Sequence, residues 1–489
     1  MVFSSHIFIF YFLPVALVVY FGLLRASQRA RNLALAILGY VFYGWANPWF
    51  VFLMFGTTFV DWLASLVIAR NTWSIWKAAP DIEPLTPGSR TRTQRTALLI
   101  SLFSNLGMLG FFKYFHFGVD SYNALVSAAG LDAAAWHPVL RVVLPLGISF
   151  YTFQSLSYII DVYRGDATAM TNFVDFSCFV SMFPHLVAGP ILQFSFLAGQ
   201  LRDRSLTTEK FARGVALFSL GLGKKVLLAN PCGHVADAVF GAIHVSALDA
   251  WYGLVAYTFQ IYFDFSGYSD MAIGLGLMLG FIFAKNFDSP YKSASITEFW
   301  RRWHISLSTW LRDYLYVPLG GNRRGTVRTY RNLMLTMLLG GLWHGASWNF
   351  VIWGGIHGGC LAAERGAARA GRPIAIPRVV RVLATFLIVM LAWVFFRAPS
   401  LARAIAYLSD LAGLGQPGLR DEIATGLIYQ RYYVMSLILC ALIVWKGRQA
   451  WDITRQVSWP RAVACVGVFC LAIVALFTQS FNPFIYYIF

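Results

Sequence analysis

The chain has 489 residues, 58% of them hydrophobic and only 12% charged, with a mean hydropathy of +0.60. Soluble domains carry about twice that charged share, so the composition reads as an all-α, polytopic membrane protein rather than a soluble one. The formal net charge of +17 does not point to nucleic acid, because Arg and Lys cluster at the ends of apolar runs. That is the positive-inside pattern and a match to anionic lipid headgroups. Six cysteines show no CxxC pair and no metal spacing, and they read as small buried hydrophobes. No metal site is expected.

The first apolar run covers residues 6–24, with Arg25, Arg29 and Arg31 after it and no basic residue before it. A secretory signal has the reverse order. An uncleaved first helix with its N-terminus outside is therefore expected. Residues 32–46 cross back outward, Asn47-Pro48 turns, and residues 49–69 return. The loop 70–95 carries Lys77, Arg90, Arg92 and Arg95 against Asp81 and Glu83, which suits the cytoplasm. Residues 97–117 cross outward, and the sparsely charged segment 120–137 suits the outer face. Residues 139–160 come back.

The run 173–193 contains FPHLVAGPILQ, with His185 beside Pro184, Gly189 and Pro190. A broken or re-entrant helix is expected, tolerated only where it lines protein or a cavity; His185 reads as a device of the fold. Residues 211–229 are apolar apart from Lys224-Lys225. Asp264 and Asp270 flank a Ser266-Gly267-Tyr268 sequence that suggests a helix break. Such charges at membrane depth read either as functional or as ion pairs with Lys224, Lys225 or an arginine.

From residue 285 to 328 there are eight basic residues against Asp288, Glu298 and Asp313, the largest cytoplasmic feature. Residues 333–360 then enter the membrane, yet five arginines follow between 365 and 381. Both ends look cytoplasmic, so a hairpin or re-entrant path is expected with His344 near its deepest point. Residues 383–396, 433–445 and 462–477 complete about eleven crossings, at roughly 20 residues each, with the C-terminus outside. Helices in one bilayer form one unit, so residues 1–489 read as a single membrane domain, and 285–360 as its catalytic segment.

His344 is the first candidate site residue. An ionisable side chain inside a membrane segment usually faces a protein interior or a water-filled cavity, and a neutral imidazole in an apolar pocket can serve as a general base. On a continuous helix Ser347 and Trp348 would share its face. His304 is the second, within the basic amphipathic stretch WRRWHISLSTWLRDY. There Trp300, Trp303 and Trp310 suit an interface, and Arg301 and Arg302 suit phosphate groups or inside anchoring. His357 follows His344 by 13 residues, about 220° round a helix, and should point elsewhere as a structural residue. The chain has no Walker loop, GxSxG, HExxH or dinucleotide fingerprint.

The segment WHGASWNFVIWGGIHG, with YFDFSGYSDMAIGLG, PLGISFYTFQSLSYIIDVYRGD and KNFDSPYKSASITEFWRRWHISLSTWLRDYLYVPLGGNRRG, resembles the membrane-bound O-acyltransferase (MBOAT) superfamily in its bacterial, alginate-type polysaccharide branch. The resemblance covers roughly residues 1 to 480. It implies a helical bundle with a central tunnel and a histidine pair near its middle. It implies acetyl-CoA as cytosolic donor substrate with no bound cofactor, an exported polysaccharide as acceptor, and a periplasmic partner of the SGNH-hydrolase type. On that reading the chain is an O-acetyltransferase of the bacterial inner membrane. His344 would be the base that activates a hydroxyl, and His304 would position the thioester or assist proton transfer. Trp343, Ser347, Trp348, Asn349, Trp303 and Asp264 would line the site, with Arg301 and Arg302 near the donor entrance. The alternatives are a transporter for a polymer or lipid-linked sugar, or an acyltransferase acting on teichoic acid, peptidoglycan or a lipid.

Overall fold

A computed structural model describes residues 1–23, 27–74, 83–86, 88–138, 141–242, 245–371, 376–415, 426–479 and 481–483. Arg25, Lys77, Asp81 and Arg372, which helped to set the expected orientation, lie outside these. Among the described residues the regular structure is helical, and the helices gather into two compact units. The first comprises residues 1–206 and 279–281, the second residues 207–278 and 282–489.

The first unit contains α1 (Leu13–Gly22), α2 (Gln28–Gly44), α3 (Trp49–Arg70), α4 (Arg92–Ala128), α5 (Ile148–Arg164), α6 (Phe173–Ser181), the single turn α7 (Phe183–Leu186) and α8 (Phe194–Arg202). Local chemistry sets these boundaries. Thr91 and Gln94 form a reciprocal capping box at the start of α4, which satisfies amides the helix itself leaves unpaired. Residues 139 and 140, where a helix is expected to start, lie outside the described residues; beyond them α5 begins at Ile148, after Pro145-Leu146 and Gly147, which takes the left-handed region at φ +74°. The expected break near His185 is present. Helix α6 ends at Ser181, and Pro184 opens the single turn α7. There the buried His185 ring bonds the Phe179 carbonyl at 2.8 Å, which ties the broken segment back to α6.

The second unit contains α9 (Thr208–Gly223), α10 (Asn230–Gly241), α11 (Ala247–Met278), α12 (Ile296–Arg302), α13 (Ile305–Leu311), α14 (Thr326–His344), α15 (Trp348–Arg369), α16 (Arg378–Arg397), α17 (Leu401–Leu411), α18 (Arg431–Lys446), α19 (Ala450–Ile453) and α20 (Trp459–Thr478). A π-helical turn over Lys224–Ala229 joins α9 to α10. Helix α11 does not break at Ser266-Gly267-Tyr268 but runs unbroken for 32 residues. Gly267 serves close packing instead: a Cβ there would lie 2.7 Å from the Gly221 carbonyl oxygen of α9, and one on Gly221 would lie 2.6 Å from that of Gly267. Small residues that let backbones approach are a usual device between membrane helices. Asp264 and Asp270 on α11 take the ion-pair reading: Lys225 Nζ stands 2.9 Å from Asp264 and Lys224 Nζ 2.6 Å from Asp270.

By length and composition α3, α4, α16 and α20 are each able to cross a membrane, and residues 8–22 form a shorter apolar helical stretch. The chain is a multi-pass membrane protein. The other expected crossings fall on helices that are shorter or carry more polar side chains, such as α11 with its paired acids.

Candidate active site

Residues 326–369 fold as a hairpin, as the arginines at both ends suggest. Helices α14 and α15 pack along each other, with Gly341 seated against the Phe350 carbonyl and Gly354 against that of Met337. The turn between them is Gly345–Ser347, with Gly345 in extended conformation. His344 is therefore the last residue of α14. This turn corrects two expectations drawn from one continuous helix. Trp348 begins α15 and is 57% exposed, so neither it nor Ser347 is placed on His344's face by helical spacing. His357 is not turned away either. It lies on the second arm and packs on the same indole as His344: Trp353 sits 5.3 Å from the His344 ring and 4.8 Å from that of His357.

His304 joins them from α12–α13. Residues 296–302 are helical because Ser295 accepts from the Glu298 amide and because Glu364 of α15 reaches across. Its carboxylate accepts from the amides of Ile296 at 2.5 Å and Thr297 at 2.9 Å and from the Thr297 hydroxyl at 2.6 Å. Trp303 then leaves the helix, and His304 takes a left-handed conformation at φ 43°. Such a conformation is uncommon for a residue with a Cβ and tends to persist where surrounding structure enforces it. The result is a fully buried imidazole whose ring centre is 6.5 Å from that of His344.

An aromatic wall closes round the pair. His304 meets Phe265 of α11 edge-on at 4.6 Å, and Trp343 lies 6.3 Å from it. His344 meets Trp343 at 5.0 Å and Phe396 of α16 at 5.2 Å. Trp303 is buried within this wall, against Phe299, Phe287 and Trp393, and Trp310 is buried too. Neither takes the interfacial position the sequence suggests. Water excluded by such a wall strengthens each polar interaction inside it.

The remaining expected site residues separate by what they bind. Asn349 donates to the Ala398 carbonyl at 2.7 Å and so ties α15 to the end of α16. Asp264 is engaged with Lys225, as above. Arg302 pairs with Glu298 at 3.0 Å. Burial pushes the Glu298 carboxyl up, but the Ala294 amide and the Arg302 and Arg378 guanidiniums outweigh it and hold it below its usual range. Arg301 makes no ion pair among the described residues. With Trp300, Ile305, Arg312, Tyr316 and Met337 it lines a cavity of about 470 Å³ between α12, α13, α14 and α15. Ile305, the residue after His304, thus borders open space.

The sequence reading missed Asn286, which bonds the His304 ring at 3.2 Å, and also Glu364, Trp353 and Phe396. Asn286 and Trp353 lie in segments already singled out, KNFDSPY and WHGASWNFVIWGGIHG; Glu364 and Phe396 are surface-like or apolar positions without any spacing signal.

A membrane-embedded helical enzyme with a buried histidine pair is the class these features define. Residues 166–404 match the model of the MBOAT, membrane-bound O-acyltransferase family. A probable alginate O-acetylase of Pseudomonas syringae pv. tomato is 51% identical over 82% of this chain and 73% of its own. One from Pseudomonas putida is 43% identical over the whole of both chains. A peptidoglycan O-acetyltransferase of Helicobacter pylori is 32% identical over 100% of this chain and 97% of its own. The chain belongs to the membrane-bound O-acyltransferase family, and it is an O-acetyltransferase.

Proposed function

We propose that the chain takes acetyl groups from cytosolic acetyl-CoA and delivers them across the bacterial inner membrane for O-acetylation of an exported, alginate-like polysaccharide. A periplasmic subunit resembling the SGNH hydrolases completes the transfer. The observation that carries this reading is the pair His304 and His344, 6.5 Å apart inside an aromatic wall, in a chain akin along its whole length to alginate O-acetylases. The donor and the polymer lie on opposite sides of the membrane, and a buried site between them resolves that separation.

In this mechanism His344 accepts the proton of the acceptor hydroxyl as its oxygen attacks the thioester carbonyl. The C–O bond forms, the C–S bond breaks, and the thiolate of CoA leaves and recovers a proton. His304 positions the thioester or assists that proton transfer. Arg301, beside the cavity, and Arg302 meet the phosphates of CoA, for which guanidinium forks are well suited. The excess of Arg and Lys flanking the histidine hairpin puts that entrance on the cytoplasmic face and both termini outside.

Acetyl-CoA turnover by the purified protein in nanodiscs, wild type beside His344→Ala, tests the reading. General-base catalysis contributes roughly 10²- to 10⁴-fold, and the variant is expected to lose at least that much while inserting normally. Unchanged turnover would sink the assignment. A silent wild type regaining activity on addition of the periplasmic partner would support the two-component route. The full-length similarity to a peptidoglycan O-acetyltransferase makes peptidoglycan the second acceptor to supply.

A further inference from the structure

We propose that Asn286 is a positioning residue that locks His304 as its Nδ1–H tautomer, leaving Nε2 as the proton-accepting atom of that ring. The inference rests on the proposed participation of His304 in transfer, and its chemistry follows from hydrogen-bond bookkeeping around one amide.

Asn286 sits between α11 and α12, 1% exposed. Its Nδ2 donates to Ser269 Oγ at 2.9 Å. Its Oδ1 accepts from the Ser306 backbone amide at 3.2 Å and from the Ser306 hydroxyl at 2.9 Å. A backbone N–H can only donate. The group facing it must therefore be the carbonyl oxygen, and a flipped Asn286 would set two donors against each other. The same Oδ1 lies 3.2 Å from His304 Nδ1, while the Ser306 hydroxyl, 3.5 Å from that nitrogen, spends its proton on the nearer Oδ1 at 2.9 Å; facing an atom that only accepts, Nδ1 carries the proton. A neutral imidazole has one N–H and one lone pair, and Nε2 is left with the lone pair. That atom is buried and spends it on no side chain or backbone group among the described residues. The backbone carbonyl of Asn286 also accepts from the Ile305 amide at 2.9 Å, so one residue holds the His304 ring and the two residues that follow it and supports the left-handed conformation of His304.

His357 shows the opposite arrangement. Its Nδ1 faces the Trp300 indole N–H at 3.3 Å, and an indole nitrogen only donates. His357 thus holds its proton on Nε2 and has no lone pair left for an incoming hydroxyl or thiol. Of these two buried rings, the hydrogen-bond partners leave a lone pair on Nε2 of His304 and occupy the lone pair of His357 at Nδ1.

The test uses the full chain. Solid-state ¹⁵N spectra of histidine-labelled protein in lipid, with the His304 signals assigned by their loss in His304→Gln, should show a protonated Nδ1 and an unprotonated Nε2. Acetyl-CoA turnover in nanodiscs supplies the second readout. Asn286→Leu should fall roughly 10- to 100-fold, as loss of an orienting partner does, with no further loss when added to His304→Gln. Asn286→Asp keeps the acceptor and adds a charge that stabilises the imidazolium. It should fold, hold the tautomer and move the acidic limb of the kcat/KM profile to higher pH. A protonated Nε2 in the wild type, or an equal loss from Asn286→Leu in the His304→Gln background, would overturn the proposal. Full turnover by His304→Gln would instead remove His304 from the reaction, overturning the functional reading whatever the spectrum shows.

Discussion

His304 and His344 differ in how each comes to be buried. His344 closes a helix at a glycine turn, with aromatic rings on several sides. His304 is held in an unfavourable backbone conformation by its neighbours in the chain and by Asn286. The carboxylate of Glu364 acts one step further out, capping the helix that leads to His304. Capping interactions of this kind contribute about 0.5–2 kcal/mol. Glu364→Ala is expected to lower the thermal midpoint by a few degrees and to reduce acetyl-CoA turnover through a looser His304. A melting curve read beside the assay checks both, and full activity with unchanged melting would deny the cap its role.

The pairing of α9 with α11 is a close helix contact at two levels, through Gly221 facing Gly267 and Gly214 facing Gly274. Overpacking a close contact typically costs about 1–3 kcal/mol, so Gly267→Val should destabilise the second unit measurably in a detergent-challenge assay. Gly359→Val serves as the control, because a Cβ there would meet nothing within 4 Å. Helix α11 and the π-helical turn after α9 also carry buried charge. Removing Lys225 alone takes the ion-pair partner from Asp264, and breaking a buried pair in this way costs about 3–5 kcal/mol. Lys225→Leu should therefore express poorly, whereas the double variant with Asp264→Leu should recover much of the yield. Failure of the second change to rescue the first would mean that Asp264 has a role beyond the pair. On α12 the Glu298 carboxyl, held below its usual range by Ala294, Arg302 and Arg378, keeps these partners at neutral pH. Its contribution is lost only as pH falls through that lowered value.

For the chain as a whole, orientation follows from where the arginines lie. Reporter fusions read it directly: a fluorescent protein inserted after Gly371 should fluoresce in the cytoplasm, and alkaline phosphatase at the C-terminus should be active outside. The opposite pattern would reverse the side from which the donor enters. The transporter alternative loses ground because the intramembrane acids it would use, Asp264 and Asp270, are engaged by lysines.

Hydropathy and charge clusters were enough to establish a helical multi-pass protein, a hairpin around His344 and a break near His185. Each of those depends on local properties: apolar length, flanking arginines, and Pro or Gly in a run. The two histidines were also legible, because ionisable groups amid tryptophans and glycines stand out in any window. Side-chain direction was not. Whether Gly267 breaks α11 or packs it, whether Trp303 faces lipid or protein, and whether His357 turns from His344 or rejoins it all depend on residues far along the chain. Asn286, Glu364 and Phe396 entered the site on the same terms. Their relation to the histidines is a matter of tertiary packing and hydrogen-bond direction, which no period or spacing in one segment encodes.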